Sequence, residues 1–148
     1  MDSEINKESF QAHNVELHFG SRPCDIFYNK DLKAVHTVWK GIYSSGAEFR
    51  KILDEIINLM SLKKTSAVIA DARNMKVISG DDQQWIVNDW YPRAIAAGFK
   101  YEALVVTENT FNELTIKKIV DVYDEQKVKT EYFTSFDDAG EWVFNNCR

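Results

Sequence analysis

The run Phe49-Arg50-Lys51-Ile52-Leu53-Asp54-Glu55-Ile56-Ile57-Asn58-Leu59-Met60, followed shortly by Ser66-Ala67-Val68-Ile69-Ala70, decides the fold. In the first segment Phe49, Ile52, Leu53, Ile56, Leu59 and Met60 recur at steps of three and four, so a helix here carries one apolar face. Ser45 with Glu48 three residues on has the spacing of a capping box for that helix. The second segment is apolar at nearly every position and too short for a stable helix, the pattern of a strand covered on both faces. A helix leading into such a strand implies a parallel crossover, and hence an α/β sheet.

Upstream, the period is two. Val15, Leu17 and Phe19 alternate with Glu16 and His18, and Gly20-Ser21-Arg22-Pro23 ends the run. Ile26 and Tyr28 open a second strand, Asn29-Lys30-Asp31 supplies turn chemistry, and Ala34 to Trp39 is rich in β-branched and aromatic residues. Val15, Leu17 and Phe19 are expected to face inward, with Asn14, Glu16 and His18 outward. If its edge is left open, this strand offers pairing to a second copy, so a homodimer is one expectation.

Downstream, strands and helices alternate. Asp81 or Asp82 is expected to cap a helix through Trp85 and Trp90, and Gly98 to close it. Ala103 to Val106 is a buried strand. Thr110 and Glu113 form a capping box for a helix bearing Phe111, Leu114, Ile119 and Val122, and Lys117-Lys118 belongs to a solvated face. Thr130 to Phe133 is the last strand, and a final helix starts near Ser135 or Asp137 with Ala139, Trp142 and Val143 on one face. The expected architecture is a single α/β domain over residues 14–146, behind a polar tail at 1–13. It has a mixed, mostly parallel sheet of about five strands, an antiparallel N-terminal lead-in and four to five helices.

Composition narrows function by exclusion. Of 148 residues, 45% are apolar and 28% charged, with 18 basic against 23 acidic side chains and a net charge of −5. That balance is the ordinary globular one and gives nucleic acid no basic surface to bind. No apolar run approaches the roughly 20 residues that span a bilayer, and the N-terminus is polar, so a cytoplasmic protein is expected. Cys24 and Cys147 form no Cys-x-x-Cys and read as inert small residues. The six glycines make no phosphate-cradling motif, and neither Gly-x-Ser-x-Gly nor His-Glu-x-x-His occurs. His13, His18 and His36 read as surface or edge-strand side chains. No metal and no cofactor is expected.

The residues that carry a candidate site follow the central strand. In Ala70-Asp71-Ala72-Arg73, Asp71 closes a parallel strand, the end at which ligands bind on such sheets. Asp71 and Arg73 either line a ligand or partner site or form a structural clamp at the strand end. The helix Asp82-Gln83-Gln84-Trp85-Ile86-Val87-Asn88-Asp89-Trp90-Tyr91-Pro92-Arg93 carries proline in its interior. A kink or break is therefore expected between Asn88 and Pro92. Its aromatic face serves either as core or as a docking surface, and Arg93 is in reach of an ion pair with Asp71 or Asp89.

These features together resemble a family. The lead-in hairpin ending Trp39-Lys40-Gly41, the strand Val68-Ile69-Ala70-Asp71 with its Asp71-x-Arg73 end, and Tyr132-Phe133 before Ala139-x-x-Trp142 resemble STAS domains related to SpoIIAA-like anti-sigma-factor antagonists. More narrowly the chain is similar to stand-alone bacterial STAS-like proteins and to the CRAL-TRIO lipid-binding fold. The resemblance implies a non-enzymatic module that binds a protein partner, a nucleotide or a lipid. In partner-switching members a serine in Asp-Ser-Ser-Gly is phosphorylated. The matching place is Ser79-Gly80-Asp81-Asp82, where Ser79 is present but Gly80 or Asp81 occupies the usual serine position.

The leading expectation is thus a regulatory or ligand-binding STAS-like module acting through Asp71, Arg73, Ser79, Asp81, Trp85, Trp90 and Arg93. One alternative is a lipid carrier enclosing an acyl chain among Trp85, Trp90, Phe99, Phe111 and Leu114, which requires an apolar cavity of several hundred cubic ångströms. The other is a small enzyme using Asp71 and Arg73 for acid/base or anion chemistry.

Overall fold

Alternation builds the first three strands. In the computed structural model, which describes residues 14–112 and 127–147, β1 (Val15–Phe19), β2 (Cys24–Asn29) and β3 (Ala34–Trp39) form an antiparallel meander. Asn29 makes the expected turn, its Oδ1 accepting the Leu32 N–H at 3.0 Å. Helix α1 (Gly46–Lys63) then returns the chain to β4 (Ala67–Asp71), parallel to β3. A broken helix, α2 (Gly80–Trp85), a π-helical turn (Ile86–Trp90) and α3 (Tyr91–Ala96), leads to β5 (Tyr101–Val105). After α4 (Glu108–Asn112) come β6 (Lys129–Phe133) and α5 (Phe136–Asn146). The strands lie in sequence order, β3 to β6 parallel. The sheet has six strands rather than about five, because the whole lead-in belongs to it. The tail at 1–13, including His13, lies outside the described residues. So do Glu113, Leu114, Lys117-Lys118, Ile119 and Val122, and the side chain of Phe111.

Each strand face has its own cover. Val35, Trp39 and Val68 pack under α1 and the broken helix, in a core with all six apolar positions read from the α1 periodicity. Ala34, Ala67, Ile69, Ala103 and Val105 face the other way, against Phe136, Ala139 and Val143 of α5. All five residues of β4 are buried, as expected for a strand sandwiched between helical layers. Each large apolar side chain so buried stabilises the fold by roughly 1.5–3 kcal/mol. Among the described residues no helix is long and apolar enough to cross a membrane. Cys24 and Cys147 are free, and burial pushes their thiols up to about 12 and about 11, which disfavours the thiolate near neutral pH.

Two local expectations are corrected in β1 and α4. A bulge between Leu17 and Phe19 shifts the register of β1. His18 reaches Glu55 of α1 at 3.0 Å and Glu16 reaches Lys63 at 3.1 Å, while Leu17 is 58% exposed. The polar side chains therefore dock on the helix and the leucine faces out, while Phe19 packs against the core as expected. At α4 the cap is Thr107 and Thr110 lies inside the helix, while Glu113, the other half of the expected box, lies outside the described residues. Each threonine Oγ1 accepts the other's backbone N–H, at 2.8 and 3.1 Å, a reciprocal capping pair.

The helix caps on the α1 side are also rearranged. Ser45 makes no side-chain cap; Ser44 Oγ instead donates to Glu48 at 2.9 Å. The amide of Gly46 is satisfied by Asp82, whose Oδ2 accepts it at 2.9 Å from the start of α2. Neither Asp81 nor Asp82 caps α2. Ser79 does, its Oγ accepting the Asp82 N–H at 3.2 Å and donating to Asp82 Oδ2 at 2.9 Å. Arg50 Nε completes the set on Oδ1 at 3.0 Å. Burial, at 1% exposure, raises the Asp82 pKa, but the Gly46 amide, Arg50 and Ser79 outweigh it and hold the carboxyl below its ordinary value.

The expected break in the aromatic helix is present as a π turn. Tyr91 N–H bonds back five residues to Ile86 O, which widens the helix just before Pro92, where an α-helical carbonyl would collide with the ring. Gly98, at φ +112°, closes α3, and the Phe99 N–H returns to Ala94 O.

Asp82→Ala is expected to destabilise the protein by about 1–2 kcal/mol, since it leaves the part-buried Gly46 amide and the Arg50 guanidinium without their acceptor. Because the folded carboxyl titrates lower than the unfolded one, its contribution is full above the unfolded pKa and is lost as pH falls through the folded value. Urea titrations at neutral and acid pH should therefore show a flatter acid limb in Asp82→Asn than in wild type.

Candidate functional site

Asp71 ends β4 where the parallel sheet opens. Arg73 turns back onto it in a two-pronged pair, Nε to Oδ1 at 2.9 Å and Nη2 to Oδ2 at 2.7 Å, and the Arg73 N–H also points to Oδ1 at 3.3 Å. Burial raises the Asp71 pKa, but the hydrogen bonds and charge of Arg73 prevail and hold it below the usual carboxylate range; Arg73 is raised in turn. The clamp expected at the strand end is thus formed. It leaves three of the five guanidinium N–H donors uncommitted to Asp71.

Arg73 borders an open crevice of about 800 Å³ over the C-terminal ends of β3, β4 and β5. Its other walls are Lys40 and Gly41 after β3, Asn74, Met75, Lys76 and Val77 after β4, and Thr107, Asn109 and Thr110 after β5. Gly41 takes the left-handed conformation that the turn after β3 needs. Its φ is +80°, and a side chain there would lie 3.5 Å from Asn74 O. The lining holds three cationic side chains and no carboxylate. Lys40 is paired with Asp25 at 3.0 Å.

His36 is a correction to the sequence reading. It lies on β3 inside the sheet, 5% exposed, and neither ring nitrogen finds a partner among the described residues. The ring lies against Phe136, with centroids 4.6 Å apart, and Phe27, at 6.1 Å. Burial pushes its pKa down to about 4, Asp71 opposing and Arg73 assisting. Among the described residues no group of three or more His, Cys, Asp or Glu is placed to hold a metal ion.

The remaining expected site residues do not converge on the crevice. Ser79 is committed to capping, and Asp81 is exposed in the first turn of α2. Trp85 sits half-buried between the guanidinium carbons of Arg50, at 5.2 Å, and Arg93, at 5.7 Å. Arg93 pairs with Asp89 at 2.8 Å and Asp54 at 2.9 Å, and not with Asp71. Trp90 is core, not surface: it packs on Tyr91 and Phe99 and donates its indole N–H to Leu53 O at 2.7 Å. Of the seven residues, only Arg73 lines the crevice, with Asp71 locked to it.

The interior beneath α1 and the broken helix holds an apolar cavity of about 80 Å³, bordered by Thr37, Trp39, Phe49, Trp90, Tyr91 and Leu104, among others. Ligand pockets run to about 300–1,000 Å³, so this space is well short of an acyl-chain site. Thr37 is 1% exposed and its hydroxyl has no partner among the described residues. Met75 borders both cavity and crevice.

The chain matches no protein-family model, no curated protein and no solved structure. The candidate site therefore stands on geometry. Sequence reasoning missed Lys40, Thr107 and Asn109 because it applied the strand-end rule to β4 alone. The same rule applied to β3 and β5 points to Trp39-Lys40-Gly41 and Val106-Thr107.

Two buried polar groups generate predictions. His36 stays neutral in the fold while the unfolded chain protonates near pH 6.5, so stability should fall as pH drops from about 6.5 to about 4, by up to about 3 kcal/mol. Urea denaturation at stepped pH should show this slope in wild type and lose it in His36→Phe. Thr37→Val removes an unpaired hydroxyl at near-constant shape and should raise stability by about 1 kcal/mol, read as a higher denaturation midpoint.

Proposed function

We propose that this protein is a non-catalytic, STAS-like regulatory module whose binding face is the crevice over the ends of β3, β4 and β5. The observation that carries the reading is the lining itself. Cationic and polar side chains from three strand ends border one concave space with no carboxylate among them, at the edge of a parallel sheet where ligands characteristically bind. Asp71, the one carboxylate at the strand end, is committed to Arg73 on both oxygens. A carboxylate so held is a poor proton carrier near neutral pH, which favours binding over acid/base catalysis. Ser79 uses its hydroxyl in the cap of α2, so the reading is placed on the crevice rather than on a phosphoserine switch. Among the described residues the interior cavity beneath α1 is well short of an acyl-chain site, which favours the crevice over the lipid-carrier alternative.

Photo-crosslinking tests this. A p-benzoylphenylalanine at Val77, on the crevice wall, is expected to give discrete adducts in the native host that excess wild-type protein competes away. The same group at Leu62, exposed on α1, is expected to give none. No adduct at Val77, or the same adducts from both positions, would sink the reading.

A further inference from the structure

The two loops that form the larger part of the crevice wall share a composition. Between residues 40 and 45 and between 72 and 79 there is no Asp or Glu, while Lys40, Arg73 and Lys76 fall there, in a protein of net charge −5. The same loops hold Ile42, Tyr43 and Val77, exposed by 40, 53 and 55%. They supply half of the six large apolar side chains exposed among the described residues. Apolar groups left in water beside fixed cations are costly to solubility and characteristic of an interface.

We infer that the crevice takes an acidic segment of a partner polypeptide, anchored by an apolar side chain against Val77 and its neighbours. This rests on the binding-face reading above and goes further by naming the occupant. Each feature of the wall has a use for such a segment. Lys76 and the uncommitted N–H groups of Arg73 receive carboxylates, the geometry in which a guanidinium is most selective, and Lys40, already paired with Asp25, adds a second cation at the rim. Met75 and Val77 receive the apolar side chain. Asn74, Asn109, Thr107 and Thr110 offer side-chain amides and hydroxyls to a peptide backbone. A small hydrated anion would make no use of Ile42, Tyr43 and Val77. A lipid bilayer is flat on this scale and would leave a concave wall unfilled. Charge also favours the acidic partner kinetically: with Lys40 and Arg73 each paired to one carboxylate and Lys76 added, this face keeps a local positive excess on a protein of net charge −5, which orients the encounter here.

An unbiased selection tests the inference without presuming a sequence. Random displayed dodecapeptides are panned against the full chain, and the winners are measured by fluorescence anisotropy. Selected peptides are expected to be rich in Asp and Glu around Leu, Ile or Phe, and to weaken as salt is raised. The Lys40→Glu, Lys76→Glu double variant should lose about tenfold or more in affinity. Val77→Ser should lose about fivefold, the deletion of one partly buried apolar contact. All three positions are exposed or half-exposed, and unchanged far-ultraviolet circular dichroism confirms that the variants fold. Winners without acidic enrichment, acidic winners that bind the double variant as tightly as wild type, or no winners at all overturn the inference. Saturable binding of inorganic pyrophosphate or of phosphatidylserine vesicles in place of peptide does so too. Crosslinks at Val77 alongside any of these results leave the binding face standing and remove only its acidic-segment occupant; their absence removes both.

Discussion

The Asp82 carboxylate is the constraint on which the arrangement of this protein turns. A helix N-terminus presents backbone amides that need acceptors and a partial positive charge that favours an anion. Here two helices meet that need in one place. Asp82, in the first turn of α2, accepts the first amide of α1 and the guanidinium of Arg50, while Ser79 caps α2 and donates to the same carboxylate. Fixing these two helix starts together fixes the loops that enter them. Residues 40–45 and 72–79 are thereby held side by side, with Gly41 against Asn74, and the crevice is the space these two loops and the end of β5 enclose.

This explains which parts of the fold were legible in the sequence. The buried face of α1 was readable because periodicity is local: Phe49, Ile52, Leu53, Ile56, Leu59 and Met60 are the six residues the structure buries. The helix break before Pro92 was readable because the missing amide and the ring are covalent facts, and the π turn is their accommodation. The caps were not. A capping box is sought within four residues, whereas Gly46 is satisfied from 36 residues away. In β1 the alternation was real but its phase was reversed: Glu16 pairs with Tyr28 on the helix side and Leu17 with Phe27 on the other, and the bulge between Leu17 and Phe19 then brings His18 and Phe19 to the helix side together; nothing in Val15 to Phe19 encodes that phase or the bulge. His36 was read as exposed because imidazole is usually hydrated. Phe27, its partner across the β2–β3 hairpin, and Phe136, a hundred residues on, bury it.

The candidate site was legible to the same degree. Asp71 and Arg73 were found because two residues at a strand end are sequence neighbours, and Lys76 and Val77 lie on the loop that follows. Lys40, Thr107 and Asn109 reach the same space only because β3, β4 and β5 are adjacent and parallel, a relation that no single window contains. Trp90 and Arg93 were drawn in by their proximity to a helix expected to border the site. A half-turn of helix separates core from surface, and the π turn sets that phase: Trp90 goes to the core and Arg93 to Asp54 and Asp89.

The Asp71–Arg73 pair shows why strand-end position alone does not decide between catalysis and recognition. A carboxylate works as a base when it is desolvated with an oxygen left open, because burial then raises its proton affinity toward neutrality. Asp71 has the burial, and by itself that would push its pKa up. Arg73 reverses the sign by engaging both oxygens with paired N–H donors. What the pair gives up in proton affinity it supplies as geometry: the guanidinium plane is fixed at the mouth of the sheet, with donors still available and little rotamer entropy left to lose on binding. The same interaction therefore removes Asp71 as a reagent and prepares Arg73 as a receptor, and the crevice inherits an anion-recognising wall at the strand end where a general base would otherwise stand.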